Sequence, residues 1–235
     1  MRLNGIMVAE STYGIGLYTA SEAARMIGMQ PTTLRRWLRG YGHDGKREPK
    51  LWAPQYAPDD DDGLYLGFRD LIEARVVNAL RAKGFGLPTI RACVEGARAI
   101  VGDERPFSTR QFKTDGRSIF LEVAREIDDL HMIDLKKRQW VFRQVIEPSL
   151  GDLEFGERGA ERWWLLHGRK SIVADPNVSF GQPVVADIGI STARVAQAVK
   201  AEGSVERTAK IYEIPVRLVR DALAYESQLH NRKAA

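Results

Sequence analysis

The chain has a single cysteine, Cys93, in 235 residues. One thiol can form neither an intramolecular disulfide nor a multi-cysteine zinc site. Histidine is nearly as scarce: His43, His131, His167 and His230 lie far apart and form no pair at metal-ligand spacing. Apolar runs are only a few residues long, as at 184–186 and 188–190, far short of a bilayer span. Residues 1–18 lack the charged start and apolar stretch of a secretory leader. There is no phosphate-binding glycine loop and no serine in a nucleophile turn. Together these absences lead us to expect a cytoplasmic protein with no metal and no cofactor, no membrane span, and no enzymatic activity.

What is present is an ordinary globular composition, 44% hydrophobic and 28% charged, which argues against disorder. The net charge of +4 is modest, but it is unevenly placed. From Arg25 to Lys50 seven basic residues face only Asp44 and Glu48, and four consecutive aspartates, Asp59 to Asp62, follow. A local excess of this kind is the footprint expected of phosphate contacts when it rides on a reading element. The aspartates read as a solvated loop tip, because adjacent carboxylates on one loop rarely converge on a single ion.

Such an element lies between Tyr18 and Trp37, in YTASEAARMIGMQPTTLRRW. Thr19 and Glu22 make a capping box, so a helix begins at Ala20. Gly28 supplies the left-handed stop, and Pro31 suits the first position of a second helix. Ala24, Met29, Leu34 and Trp37 stand at offsets that pack two short helices across a tight turn. Thr32, Thr33, Arg35, Arg36 and Arg39 are left pointing outward, the arrangement of a helix-turn-helix that lays its second helix in a DNA major groove. Tyr41 and Gly42 are expected to end the unit. Residues 43–67 have no helical period and read as a long β-hairpin with strand-like pieces at 51–53 and 64–67. Lys46, Arg47 and Lys50 stand near its base. Two amphipathic helices follow, at about 69–83 and 88–101.

This run, through FRDLIEARVVNALRAKGFGLPTIRACVEGAR, resembles the winged-helix DNA-binding domain of MerR-type regulators. The resemblance covers residues 18–101. It implies that Thr32, Thr33, Arg35, Arg36 and Arg39 read the groove while the wing, with Lys46, Arg47 and Lys50, touches the backbone. The long dimerising helix and cysteine-based effector site common in that family are not visible here.

The middle of the chain carries fewer signals. Residues 111–121 read as a hairpin turning at Asp115-Gly116. Residues 139–146 form a short amphipathic helix ended by Pro148. Residues 162–167 form a strand with Trp163 and Trp164 on opposite faces. Cys93 falls in a helix, where it reads as a small core residue rather than a nucleophile.

Near the C-terminus, three helices are expected at about 192–201, 205–212 and 215–228. Apolar residues at Ala209, Ile214, Val219 and Ala222 repeat the offsets of Ala24, Met29, Leu34 and Trp37, with Glu213 where the first corner has Gly28. The second corner is electrically neutral: Arg207, Lys210, Arg217 and Arg220 are matched by Glu206, Glu213, Asp221 and Glu226. It gains little from counterion release, which favours packing, dimerisation or partner contact over DNA reading. Ile172, Asp175, Pro176, Gly181, Pro183, Gly203, Tyr212 and Val219 resemble the small helical domains encoded beside PIN-type ribonuclease toxins. With the MerR-like front end and the middle phrase FSTRQFKTDGRSIFLEV, the chain is similar to long, two-module VapB-type antitoxins.

The expected fold is mainly α with small β elements (α+β). It comprises a winged helix-turn-helix domain at 1–102, a small α+β middle segment at 103–170 and a three-helix, helix-turn-helix-like domain at 171–235. The resemblance implies an antitoxin that binds a PIN-like ribonuclease toxin and, as a homodimer on operator DNA, represses its own operon. Members of that family commonly insert a terminal peptide into the toxin, but residues 226–235 are brief and could equally fray. The alternative is a stand-alone MerR-like regulator with a ligand-sensing middle domain.

Overall fold

The computed structural model describes residues 16–43, 46–56, 63–127, 139–157 and 159–233. The stretch expected to lack a leader and the four aspartates at 59–62 therefore lie mainly or wholly outside the described residues. The fold is mainly helical with small antiparallel sheets, as the sequence led us to expect.

Strand β1 (Tyr18–Thr19) leads directly into α1 (Ala20–Ile27). The capping box forms: Glu22 N–H donates to Thr19 Oγ1 at 3.2 Å, and Thr19 N–H donates to Glu22 Oε2 at 2.8 Å. Gly28, at φ 83°, closes the helix, and α2 (Pro31–Arg39) begins two residues after the turn. Ala23, Ala24, Met26, Leu34, Trp37 and Leu38 are buried in the core that includes the corner.

The long hairpin expected across 43–67 is a short one: β2 (Tyr41–His43) pairs antiparallel with β3 (Lys46–Glu48). Tyr41 and Gly42 thus open the hairpin rather than ending the helical unit. Residues 51–53 form no strand, and Leu51 and Trp52 are buried. Strand β4 (Tyr65–Leu66) turns back onto β1, pairing Tyr18 with Leu66. Local alternation in 43–67 could not reveal that the partner strand lay before α1.

Helix α3 (Phe68–Ala82) is buried on most sides, and α4 (Leu87–Val101) packs beside it. Residues 110–126 form α5 (Arg110–Glu126), which overturns the hairpin expected at Asp115-Gly116. Phe112, Gly116, Ile119, Phe120, Val123 and Ala124 are its buried residues, a helical spacing. Gly116 sits against the Phe112 ring, where a Cβ would come within 3.2 Å. The glycine serves close packing, not a turn.

Pro148 does not stop the helix before it. A π-helical turn spans Phe142–Ile146, with Glu147 N–H donating to Phe142 O, and α6 (Glu147–Leu150) continues through the proline. The wider turn makes room for a ring that an α-helical register would exclude.

A four-stranded antiparallel sheet follows in the order β5 (Leu153–Gly156), β6 (Gly159–Leu166), β7 (Arg169–Ala174), β8 (Val184–Val185). Trp163 belongs to the first core, while Trp164 packs with a separate small cluster on the other face. The Arg75 guanidinium lies 4.6 Å from the centroid of the Trp163 ring. Three helices complete the chain: α7 (Thr192–Glu202), α8 (Val205–Ile211) and α9 (Val216–Lys233). Helix α9 runs well beyond 228, so residues 226–233 are helical rather than a frayed tail.

The first core runs from Tyr18 to Ala174 and takes in the helix-turn-helix, α3, α4, α5 and Trp163. The second joins Leu166, Ile172 and Val185 to Ala209, Ile214, Val219, Ala222 and Tyr225. Hydrogen bonds among the described residues tie the C-terminal part to the front end. Arg232 Nη1 donates to Met26 O at 2.8 Å, and Tyr18 Oη donates to Gly181 O at 2.8 Å.

Candidate nucleic-acid interface

Helix α2 has two unlike sides. Leu34, Trp37 and Leu38 are buried against the core. Thr32, Arg35, Arg36 and Arg39 are exposed, with Thr33 half-buried beside them. Residues 32, 35, 36 and 39 follow an i, i+3, i+4, i+7 pattern, which is one face of a helix. Three guanidiniums and a hydroxyl are thereby presented together, over a helix held by its apolar side.

The hairpin is joined to this helix through Gly40, whose φ of 71° suits glycine. A Cβ there would lie 2.5 Å from Glu48 O, so the close approach of α2 to β3 also requires the missing side chain. Leu51 N–H donates to Trp37 O at 2.7 Å and ties the chain after the hairpin to α2. Lys46 and Arg47 stand on β3 by their backbone; their side chains lie outside the described residues. Lys50 follows the strand and is exposed.

Residues that the sequence did not single out hold the hairpin's base. Arg91, on α4, donates from Nη2 to Pro49 O at 3.1 Å and pairs with Glu48 Oε2 at 3.4 Å. Asp70, fully buried at the start of α3, accepts from Trp52 Nε1 at 3.1 Å, Gln55 N at 2.7 Å, Gly67 N at 3.0 Å and Arg105 Nε at 2.6 Å. One carboxylate thus gathers the returning loop, β4 and the segment after α4. Such multiply bonded buried charges are costly to break. Only their residue types were visible in sequence, because most of their partners lie 15 or more positions away.

Cys93 is buried in α4, and burial pushes its thiol up to about 12, the wrong direction for a nucleophile. Among the described residues there is no group of three or more histidine, cysteine or carboxylate side chains that could hold a metal, and no helix long and apolar enough to cross a membrane.

The C-terminal corner repeats the geometry of the first without its charge. Glu213 takes φ 54°, matching the left-handed Gly28, and Ile214 N–H donates to Ala209 O at 3.0 Å as Met29 N–H does to Ala24 O at 2.9 Å. Two of its ion pairs are an exposed one, Arg220 with Glu206 at 3.2 Å, and one to the sheet, the buried Asp221 with Arg169 of β7 at 2.5 Å.

Comparison with known proteins matches the two ends of the chain separately. Residues 16–94 match a family described as "Putative DNA-binding HTH domain", and residues 172–225 match "Protein of unknown function (DUF433)". The chain is similar to "Putative antitoxin VapB45" of Mycobacterium tuberculosis, 27% identical over 228 residues that cover 91% of this chain and 95% of the relative. It is also similar to "Uncharacterized protein Rv2308" of the same organism, 24% identical over 222 residues, 89% of each chain. The crystal structure of Rv2018 from Mycobacterium tuberculosis shares the fold, with a TM-score of 0.68 at 23% identity over 90% of this chain and 99% of that one. The front end is a helix-turn-helix that matches a DNA-binding family description, and most of the chain is similar to a protein named as a putative antitoxin.

Proposed function

We propose that the chain is the antitoxin of a type II toxin–antitoxin pair. It reads its own operator as a homodimer through a MerR-like winged helix-turn-helix, and it binds a PIN-like ribonuclease toxin. The observation that carries the DNA-reading half is the exposed stripe of Thr32, Arg35, Arg36 and Arg39 on a helix whose other side is buried. Arg35 and Arg36 meet base edges; Thr32, Thr33 and Arg39 flank them; Lys46, Arg47 and Lys50 on the β2–β3 wing meet phosphates. Residues 1–102 then form the reading domain, and residues 103–170 and 171–235 carry protein contacts. The balanced charge of the second corner supports that division of labour. The protein acts by binding in the cytoplasm, without metal or cofactor, and is not an enzyme.

Two measurements test this reading. Co-expression with the product of a neighbouring PIN-like reading frame yields a stable complex that survives gel filtration; a chain that binds its operator but no such product is a stand-alone regulator instead. In operator binding, Arg36→Ala weakens affinity by about 1–3 kcal/mol, while Arg217→Ala on the neutral corner changes it little. The reverse ranking places DNA reading at the wrong corner.

A further inference from the structure

Away from both helix corners, the exposed side of α5 carries its charges in two groups. Arg110, Lys113 and Arg117 lie along one edge, three and four residues apart. The acids Asp115, Glu122 and Glu126 lie about 140–180° round the helix from Lys113 and Arg117, at about 100° per residue, and Arg125 falls between the two groups. Arg143 stands across from the basic edge, on the π-helical turn Phe142–Ile146. In an α-helix it would stack on Glu147, four residues on. The wider turn changes that register, and no ion pair joins the two. Among the described residues, no carboxylate lies within 4.0 Å of the charged nitrogens of Lys113, Arg117 or Arg143.

These three cations line one cleft of about 310 Å³, together with Phe142 and Leu150, which are buried in the first core. Phe120 backs the Phe142 ring, with 6.2 Å between centroids. Glu147 is the one acid in the described lining, so the cleft keeps an excess of two positive charges. Lys113 Nζ lies 5.7 Å from the centroid of the Phe155 ring, a contact that leaves its hydrogen-bond donors open to a ligand.

We propose that this cleft binds a phosphate monoester joined to a ring, the chemistry of a nucleoside monophosphate. A phosphate monoester carries about two negative charges near neutral pH, which the excess positive charge of the lining matches. Two guanidiniums and an ammonium converge with more donors than one carboxylate can accept, and they suit the several oxygens of a phosphate. The buried apolar part of the lining, Phe142 and Leu150, offers the ring a surface out of water. The volume falls at the lower end of the range of about 300–1,000 Å³ for small-molecule sites. Cations gathered on one recess from two helical segments suit a discrete group, whereas a nucleic-acid backbone is followed by cations spaced along a groove. Arg110 continues the basic edge outside the lining, so the backbone is the rival source of the same phosphate. The site lies apart from the reading corner and stands independently of any toxin partner.

The test titrates the full chain calorimetrically with AMP, GMP, CMP and UMP, with adenosine and inorganic phosphate as controls. At least one monophosphate binds about ten-fold or more tightly than either control, because each control lacks one half of the recognised group. Arg117→Gln and Arg143→Gln each weaken that binding by about ten-fold or more, the loss of a charge-assisted hydrogen bond. Glu147→Gln strengthens it by about two-fold or more, because the opposing charge is gone; a gain of affinity cannot come from a damaged fold. A wild type that binds none of the four monophosphates at millimolar concentration overturns the proposal. Monophosphate binding that is lost in Arg36→Ala and kept in both cleft variants also overturns it, since phosphate is then held at the reading corner. So does a chain that ignores monophosphates but loses affinity for random-sequence duplex DNA in Arg117→Gln and Arg143→Gln, because the basic edge then belongs to a nucleic-acid backbone.

Discussion

Glu73, 1% exposed on α3, accepts a hydrogen bond from Ser108 N–H at 2.9 Å. Burial raises its carboxyl from the ordinary 4.5 to about 8, against the smaller opposing pull of that hydrogen bond and of Arg69. Folded chains therefore hold a proton there that unfolded chains release between about pH 4.5 and 8. The contribution to stability is fully present below pH 4.5, declines across that window by up to about 1.4 kcal/mol per pH unit, and is level above it. Glutamine keeps the acceptor and never ionises. Glu73→Gln accordingly melts above the wild type at pH 8, with a gap that closes toward pH 5; parallel melting curves across that range contradict the assignment. At this scale the outward side chains of α2 were legible, because a 3.6-residue period alone sorts Arg35, Arg36 and Arg39 from Leu34 and Trp37. The braces Asp70 and Arg91 were not, since nothing local distinguishes a surface charge from one that meets a partner dozens of residues away.

The two helix corners are the clearest case at the scale of elements. Equal offsets from Ala24 and from Ala209 led to equal turns, and Gly28 and Glu213 share the left-handed conformation. They differ in what that conformation costs. A Cβ at Gly28 would find Arg232 at an ordinary 3.5 Å, so Gly28→Ala loses stability through backbone strain rather than a clash. The loss is about 1–2 kcal/mol, and Glu213→Gly recovers about 1 kcal/mol at the other corner. Chemical denaturation of the two variants checks both signs; a destabilised Glu213→Gly would mean its side chain holds the corner. Legibility failed where a dipeptide was weighed above a period. Asp115-Gly116 marks a turn when its flanks alternate, but the flanks of Gly116 repeat every three to four residues and bury Phe112, Ile119, Phe120 and Val123. The hairpin after α2 was misjudged for another reason: strand β4 pairs with β1 across α1 and α2, a long-range choice that its two residues do not encode.

At the scale of the whole molecule, the front and C-terminal parts are separate in sequence but joined in space. Helix α9 ends on α1 through Arg232 and the Met26 carbonyl, and Tyr18 reaches Gly181. The tail is thus placed to hold the helix-turn-helix, an arrangement in keeping with the proposed function. Composition could predict two corners of unlike charge; it could not predict that the end of α9 would meet α1. The central claim, that the positive corner reads DNA and does so through its cations, is tested most directly by operator affinity measured against salt. With about six to ten phosphate contacts, affinity falls by roughly a thousandfold or more between about 50 and 200 mM salt, and removing Lys50 lowers the logarithmic slope by about one. An affinity that stays flat across that range, or a slope unmoved by loss of Lys50 and of the arginines on α2, would contradict it.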